Sequence, residues 1–480
     1  MNSVINSNSN SNSISTDATA QLFADKMTRE GQPRTAIDIF LRYYDALRHG
    51  KTGYIAESDI DPVAESDIAA LADIADLHIV GEEALAHAVV IKLNGGLGTS
   101  MGLYTAKSLI PVKNGLSFLD ITAQQIRCLN KRFGLSIPLI MMNSFNTESD
   151  TIEALGKYPD IKTDIPPSFI QHKFPKINAA DLSPVDAPHD RRLEWNPPGH
   201  GDLYAAIQSS GVLDTLLKRG YKYAFISNID NLDAALDTRI LGYFADSGFP
   251  FLMEVTDRTF MDRKGGHIAR MKNGQLALRE AAQCPPESFN RFMNTDLHRY
   301  FNTNNLWIRL DALHEIWSCG TLTLPMIRNV KKLDTRDADS PDVIQLESAM
   351  GSALSVFENA GALRVPRSRF APVKNCEELL LLWSDYYDLT ENYRIVMNKR
   401  HKSIQMNVRL DPRFYGTLDK LKERFPDGAP SLVECESLSV NGDVVFGKDI
   451  VITGQTSIIN TTGKQAFIDN WARLTGEVRC

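Results

Sequence analysis

Near the N-terminus, apolar residues recur at spacings of three and four: Leu22, Phe23 and Met27, then Ala36, Ile37, Ile39, Phe40, Tyr43, Tyr44 and Leu47. That period sets one face of a helix against a core, and Gly50 and Gly53 end it. A Ser/Asp/Pro-rich stretch follows over 57–67, then a short helix-like run over 69–77. At Ala86 the pattern changes: Ala-His-Ala-Val-Val-Ile-Lys-Leu runs directly into Asn94-Gly-Gly, which reads as a buried strand ending at a tight turn. Further strands are expected at 139–142, 223–226, 251–255 and 306–308, with helices over 119–133, 147–155, 201–218 and 238–247. Strands alternating with helices predict an α/β fold with a mostly parallel sheet covered on both faces. Beyond Leu438 the period becomes six. Leu438, Val444 and Ile450 form one series; Val440, Phe446, Ile452 and Ile458 form another, with Gly442, Gly447 and Gly454 at bends. A short parallel β-helix is the first reading and a small antiparallel sheet the second.

These shifts divide the chain into an Asn/Ser-rich tail (1–16), expected to be disordered, an N-terminal helical segment (17–85), a central α/β domain (86–405) and a C-terminal domain (406–480). The 480 residues carry 52 Lys+Arg against 59 Asp+Glu, a net charge of −7, which argues against a general nucleic-acid binder. No apolar run approaches the ~18 residues of a membrane span, and the N-terminus resembles no secretory signal. Cys128, Cys284, Cys319, Cys376, Cys435 and Cys480 show no C-x-x-C spacing, so reduced thiols and a cytoplasmic protein are expected.

The candidate chemistry starts at Lys92-Leu-Asn-Gly-Gly-Leu-Gly-Thr-Ser-Met-Gly-Leu103, directly after a strand. Glycines there let backbone N–H groups converge on an anion. A dinucleotide fingerprint fits poorly, because Asp120, near the distance for a ribose partner, opens a helix instead. A phosphate-loop NTPase fails because Ala106 precedes Lys107-Ser108 where Gly is required. Lys107 can still neutralise phosphate charge close to the glycines, although a solvated surface lysine is the commoner fate. Asn196-Pro-Pro-Gly-His-Gly-Asp202 precedes a helix. Ser227-Asn-Ile-Asp-Asn231 puts Asp230 at a strand's C-terminal end, where open α/β sheets bind ligands and where a carboxylate suits Mg2+ as well as an Asx-turn. Phe301-Asn-Thr-Asn-Asn-Leu-Trp307 offers amides to hydroxyls, or a turn. Val365-Pro-Arg-Ser-Arg-Phe-Ala-Pro-Val-Lys374 offers three cations, as an anion clamp or as a solvated loop.

Together, LNGGLGTSMG with Lys107-Ser108, NGLSFLD, MMNSFNT, PPGHGD, SNIDN, KGG, FNTNNLW, QLE and VPRSRFAPVK, in this order from Leu93 to Lys374, resemble the eukaryotic-type UTP–glucose-1-phosphate uridylyltransferase family, also called UDP-glucose pyrophosphorylases. The resemblance implies a Rossmann-like, GT-A-like nucleotidyltransferase core with a mixed sheet and a small C-terminal parallel β-helix. It implies Mg2+-dependent, reversible formation of UDP-glucose and pyrophosphate from UTP and glucose-1-phosphate. It implies no nucleic-acid or membrane partner and allows a homo-oligomer through the C-terminal domain. Carried over position by position, Leu93, Gly95 and Gly96 would cradle UTP, with Lys107 on the triphosphate. Met142, Gln171 and Gly199 would take the uracil, and Asn228 would assist at the ribose and phosphate. His200 would lie at the phosphate junction with the sugar, and Asp230 would hold Mg2+. Gly266, Glu280, Asn302 and Asn304 would contact the sugar, and Lys374 its phosphate.

Departures from the family pattern accompany the match. Thr105-Ala106 stand where many members have Gly-Pro. His267-Ile-Ala-Arg270 after Gly265-Gly266 suggests a relaxed sugar site, and the mixture of features suggests a bacterial member. The alternative is therefore a uridylyltransferase of broader range, taking galactose-1-phosphate or an N-acetylhexosamine-1-phosphate. Asn94 favours glucose, because members with the broader range usually carry LAGG. A non-catalytic nucleotide-sugar sensor is the reading from a different class.

Overall fold

The structure is a computed structural model that describes residues 18–103, 105–320, 322–335, 337, 339–401 and 406–480. The expected Asn/Ser-rich tail lies outside the described residues. The chain falls into two compact units. The first takes the chain up to Gly53 with Lys173–Pro198 and Met326–Glu347; the second takes Tyr54–His172, Gly199–Pro325 and Ser348–Cys480. The division thus falls at neither 85/86 nor 405/406.

In the first unit, α1 (Ala18–Arg29) and α2 (Arg34–Arg48) bury the predicted stripe. Phe23, Phe40, Tyr44 and Phe174 interlock with ring centroids 4.7–6.3 Å apart, while Leu22 alone of the stripe faces out. Three antiparallel strands, Ile177–Asn178, Asp342–Glu347 and Ile327–Lys332, complete this unit.

The second unit holds a large mixed sheet. Its strands are β1 (Ala88–Asn94), β2 (Leu139–Asn143), β3 (Ser168–Ile170), β4 (Tyr223–Asn228), β5 (Phe251–Asp257), β6 (His267–Met271), β7 (Leu276–Arg279), β8 (Tyr300–Arg309) and β9 (Gly361–Arg364). The main order is β9-β5-β8-β4-β1-β2-β3, with Ala69–Ala70 outside β9 and the β6/β7 pair attached to β8. β4, β1, β2 and β3 run parallel. β8 runs against both β4 and β5, so the sheet is mixed rather than mostly parallel. β1 and β2 read as near-continuous apolar runs because they are buried on both faces. α3 (Phe118–Phe133) starts at a capping box: the Asp120 N–H donates to Ser117 Oγ at 3.1 Å, and the Ser117 N–H donates to the Asp120 carboxylate at 2.9 Å. That commitment explains why Asp120 is no ribose partner.

Three local expectations change. Residues 69–77 form a two-residue strand and a 3-10 turn before the helix His78–Ala84. The helix expected over 201–218 breaks into α4 (Leu203–Ser209) and α5 (Val212–Lys218), because Gly211 takes a left-handed φ of 74°. The strand around 306–308 extends back to Tyr300, so FNTNN is bulged strand rather than turn.

At the C-terminus, β10 (Asn407–Leu410), β11 (Cys435–Asn441), β12 (Val451–Ile459) and β13 (Arg473–Arg479) pair in parallel, and Val444–Phe446 pairs in parallel with Ala466–Ile468. Val440 faces Ile458, three hexads on. Every residue of the two hexad series is buried, so the antiparallel alternative falls. Gly442 sits at a corner with φ 93°, where a Cβ would lie 2.1 Å from the Asn460 carbonyl oxygen.

Candidate active site

The chain order reverses between β1 and β4: β2 and β3 continue to one side, and β4 returns on the other. A crevice opens outside the strand ends at such a switch point. Leu93 stands in register with Asn228 on one side and Met142 on the other. Ile229 N–H donates to the Leu93 carbonyl at 3.1 Å, and Gln171 N–H to the Asn143 carbonyl at 2.8 Å. Four sequence-predicted residues therefore share one rim. Met142 is 1% exposed, so it can only back a ligand from beneath. Asn94 is buried as well, its amide donating to Asn143 Oδ1 and Thr151 Oγ1, both at 2.8 Å. The residue that favoured glucose thus pins the loop's root and does not face a sugar.

The loop after β1 turns at Gly98 and Gly102, whose φ values of 66° and 72° favour glycine. A Cβ on Gly95 would come within 2.9 Å of Gln171 Oε1, whereas one on Gly96 would meet nothing within 4 Å. Gly95 therefore closes on the Gln171 side chain while Gly96 fronts open space. Lys107 N–H donates to the Gly96 carbonyl at 3.2 Å, which brings the lysine back to the glycines. Its ammonium lies 2.5 Å from Asp230 Oδ2, with both side chains largely buried. This lysine is not a solvated surface group.

Asp230 Oδ1 is buried without a hydrogen-bond partner among the described residues, and its backbone carbonyl accepts from Val373 N–H at 3.2 Å. Among the described residues no three His, Cys, Asp or Glu side chains cluster as metal ligands. A lone carboxylate with an unused oxygen beside a phosphate-binding loop fits Mg2+, which takes one or two carboxylates and completes its shell with phosphate and water.

The expected sugar side is equally compact. A Cβ on Gly266 would lie 2.6 Å from Glu280 Oε2, and the Gly266 carbonyl accepts from Asn302 N–H at 3.1 Å. Burial raises the Glu280 pKa, and the Lys374 charge opposes that shift. Asn302 and Asn304 occupy the bulge of β8 facing Glu254 and Val255. Asn304 adopts a φ of 57°, which Asn tolerates. Asn302 is 4% exposed and spends its amide on Asn304, at 2.8 and 2.9 Å. It shapes Asn304 more than it faces a sugar. His267 is wholly buried, stacked on His298 with centroids 3.9 Å apart. Arg270 pairs with Asp67 at 3.0 Å. Neither change reaches the pocket, so the expected relaxation of sugar choice loses its basis.

Gly199 has a φ of 79°. His200 Nδ1 accepts from Met350 N–H at 2.9 Å, and burial pushes the imidazole pKa down to about 4. His200 is therefore neutral, with Nε2 carrying the proton. Of the three cations in VPRSRFAPVK, Arg367 grips Asp262 at 2.7 and 2.8 Å, and Arg369 grips Glu254 at 2.7 and 2.8 Å. Only Lys374 lies exposed, beside Glu378, whose carboxylate accepts from the Lys374 and Asn375 N–H groups.

Sequence reasoning missed three groups. Asp202 accepts from His172 N–H at 2.6 Å and meets its Nδ1 at 2.8 Å, fixing the segment that carries Gln171. Glu254 lies at the centre of a buried network with Arg369, Trp307 and Asn305. Glu378 was legible in Asn375-x-x-Glu378, a capping box.

A sequence model described as UTP--glucose-1-phosphate uridylyltransferase matches residues 37–453. The chain belongs to that family. A barley (Hordeum vulgare) uridylyltransferase is 41% identical over 387 residues, 80% of each chain. The Saccharomyces cerevisiae enzyme is 39% identical over 406 residues, 82% of this chain and 78% of its own. UDP-glucose pyrophosphorylase from Leishmania major, solved in open and closed structures, superposes with a TM-score of 0.88 at 40% identity, covering 97% of this chain and 100% of that one. A point mutant of the Leishmania enzyme was solved in complex with UDP-glucose, again with a TM-score of 0.88. The UDP-glucose phosphorylase of Trypanosoma brucei gives 0.86 at 41% identity, with coverage of 97% and 100%. Membership in the uridylyltransferase family agrees with a crevice that brings together the glycine-rich loop, the Lys107–Asp230 pair and the packing of Gly266 against Glu280.

Proposed function

We propose that this uridylyltransferase-family chain forms UDP-glucose and pyrophosphate from UTP and glucose-1-phosphate, reversibly. The observation that carries the reading is the meeting of the Gly95–Gly96 loop, Lys107 and Asp230 at the switch point of the sheet. The sugar phosphate is anionic near neutral pH and needs no general base to attack the α-phosphorus in line. The protein's work is to bring two polyanions together and to stabilise charge on the transferring group. Leu93, Gly95, Gly96 and Gln171 orient the nucleotide. Lys107 neutralises the triphosphate, Lys374 the sugar phosphate, and His200 donates Nε2–H as a neutral imidazole. Glu280 and Asn304 orient the sugar hydroxyls, and Asp230 would hold Mg2+, which would supply Lewis-acid charge to phosphate oxygens.

Among the described residues no helix is long and apolar enough to cross a membrane; the proposal includes work in the cytoplasm without a nucleic-acid or membrane partner. Self-association through the C-terminal domain is part of the same proposal; Phe467 and Trp471 stand 59% and 69% exposed there.

Turnover with UTP, glucose-1-phosphate and Mg2+, read as pyrophosphate release, is the direct test. A parallel panel with galactose-1-phosphate and N-acetylglucosamine-1-phosphate separates a glucose enzyme from one of broader range. Asp230→Asn is expected to demand far more Mg2+ at half-maximal rate; an unchanged Mg2+ titration excludes Asp230 as the ligand.

A further inference from the structure

A second cavity, lined by apolar and polar side chains in about equal measure, opens in the same unit, between α3, the loop carrying Asn392 and Arg394, and the face of β1 that bears Val90 and Lys92. Its volume is about 170 Å³, below the ~300–1,000 Å³ of pockets for drug-sized ligands. It suits an occupant much smaller than a nucleotide. Lys92, Arg132 and Arg394 line it, together with Thr122 and Gln125, and among the described residues no carboxylate does.

Lys92 is 2% exposed. Its ammonium donates to two neutral acceptors, Ser227 Oγ and the Ala234 carbonyl, both at 2.7 Å, and makes no ion pair among the described residues. Burial pushes the Lys92 pKa down to about 7, against the pull of the Asp230 and Glu254 charges, and an anion placed directly beside the amine favours its protonated form. Thr122 is 1% exposed, and its hydroxyl has no partner among the described residues. The Gln125 amide is held by the Leu232 and Tyr393 carbonyls at 2.9 and 2.8 Å, which fixes the wall between them. Arg394 is anchored by Asp233 at 2.9 Å, while among the described residues Arg132 meets only Glu82 as an ion-pair partner, at 3.9 Å.

We propose that this cavity is a binding site for a compact tetrahedral oxyanion such as inorganic phosphate, held by the Lys92 ammonium and the Thr122 hydroxyl, with Arg394 and Arg132 drawing it in. The site is distinct from the nucleotide crevice. The Lys107–Asp230 pair lies beyond the end of β1, whereas this cavity opens under α3. The two are nevertheless linked, because the acceptors of Lys92 flank the turn that carries Asp230. Occupancy that draws the ammonium away from Ser227 and Ala234 loosens that turn.

Crystals of the full chain soaked in sodium selenate test the proposal. A selenium anomalous peak is expected in the cavity, placed so that selenate oxygens accept from Lys92 Nζ and Thr122 Oγ1, and inorganic phosphate added to the soak is expected to displace it. Thr122→Val, close in volume, should at least halve selenium occupancy in the cavity while leaving any occupancy near Lys107 and Lys374 unchanged. Arg394→Met should do the same, and Thr122→Val decides alone if Arg394→Met does not fold. Selenium confined to the Lys107 region, or equal cavity occupancy in Thr122→Val and the unmodified chain, overturns it.

Discussion

Lys107 and Asp230 neutralise each other across 2.5 Å, so the cation assigned to the triphosphate and the carboxylate assigned to the metal form one ion pair. Under the proposed function each would be the other's stand-in for a ligand. A triphosphate with Mg2+ can take both partners at once: the phosphate receives the lysine and the metal receives the carboxylate. The pair therefore keeps two desolvated charges satisfied until substrate replaces each of them.

Removing the lysine follows from that exchange. Lys107→Ala should lower kcat/KM for UTP at least tenfold, about 1.4 kcal/mol, because the lost charge acts on phosphate oxygens whose charge shifts in the transition state. The same variant should bind Mg2+ more tightly without nucleotide, since Asp230 no longer has a competing cation. A loss well under tenfold, or weaker Mg2+ binding by calorimetry, contradicts the assignment.

How much of this was legible in sequence depends on the range of the interaction. The glycine loop, the Asp230 turn and the hexads are local: glycine spacing, an acid after an apolar run and a six-residue period each state their own geometry, and all three stand in the structure. Long-range pairing left no such mark. Only residues 306–308 of β8 read as a strand, and its partners β4 and β5 are what reveal that it runs backwards. Arg367 and Arg369 looked like free cations because Asp262 and Glu254, which consume them, lie about a hundred residues away. His267 followed two site glycines, yet strand alternation turned it into the core beside His298.

The division of the crevice predicts separable effects. Glu280→Ala removes a carboxylate packed against Gly266 and should raise KM for glucose-1-phosphate by about 1–3 kcal/mol of lost binding. The KM for UTP should stay nearly constant, because the Gly95–Gln171 contact is untouched. Galactose-1-phosphate should turn over more slowly than glucose-1-phosphate. Equal losses of sugar and UTP affinity would show that the two subsites are not separate.

Glu254 holds the floor beneath both subsites. Its fully buried carboxylate accepts from Arg369 Nε and Nη2, from Trp307 Nε1 at 2.9 Å and from Asn305 Nδ2 at 3.1 Å. Asn231, next to Asp230, reaches the same group through the Arg369 carbonyl at 3.1 Å. Glu254→Ala strands a buried guanidinium and should cost roughly 3–5 kcal/mol. Urea unfolding reads it directly, and a loss below about 1 kcal/mol would mean that the network relaxes around the gap.

His200 makes the fold sensitive to acid in a way that can be isolated. Its pKa falls from an ordinary 6.5 to about 4 because burial disfavours the imidazolium, and the Nδ1 that accepts from Met350 N–H must stay unprotonated. Between those two values the unfolded chain binds a proton that the folded chain refuses. Stability therefore falls as pH drops from about 6.5 towards about 4, and this contribution levels off below that range. In His200→Asn the side-chain oxygen can stand in for Nδ1 and cannot titrate, so the variant should lose this part of the acid slope while keeping its fold at pH 7. Urea midpoints at pH 7, 5.5 and 4.5 provide the measurement. If the variant and the unmodified chain decline in parallel, the acid sensitivity arises elsewhere and His200 is not held neutral by the fold.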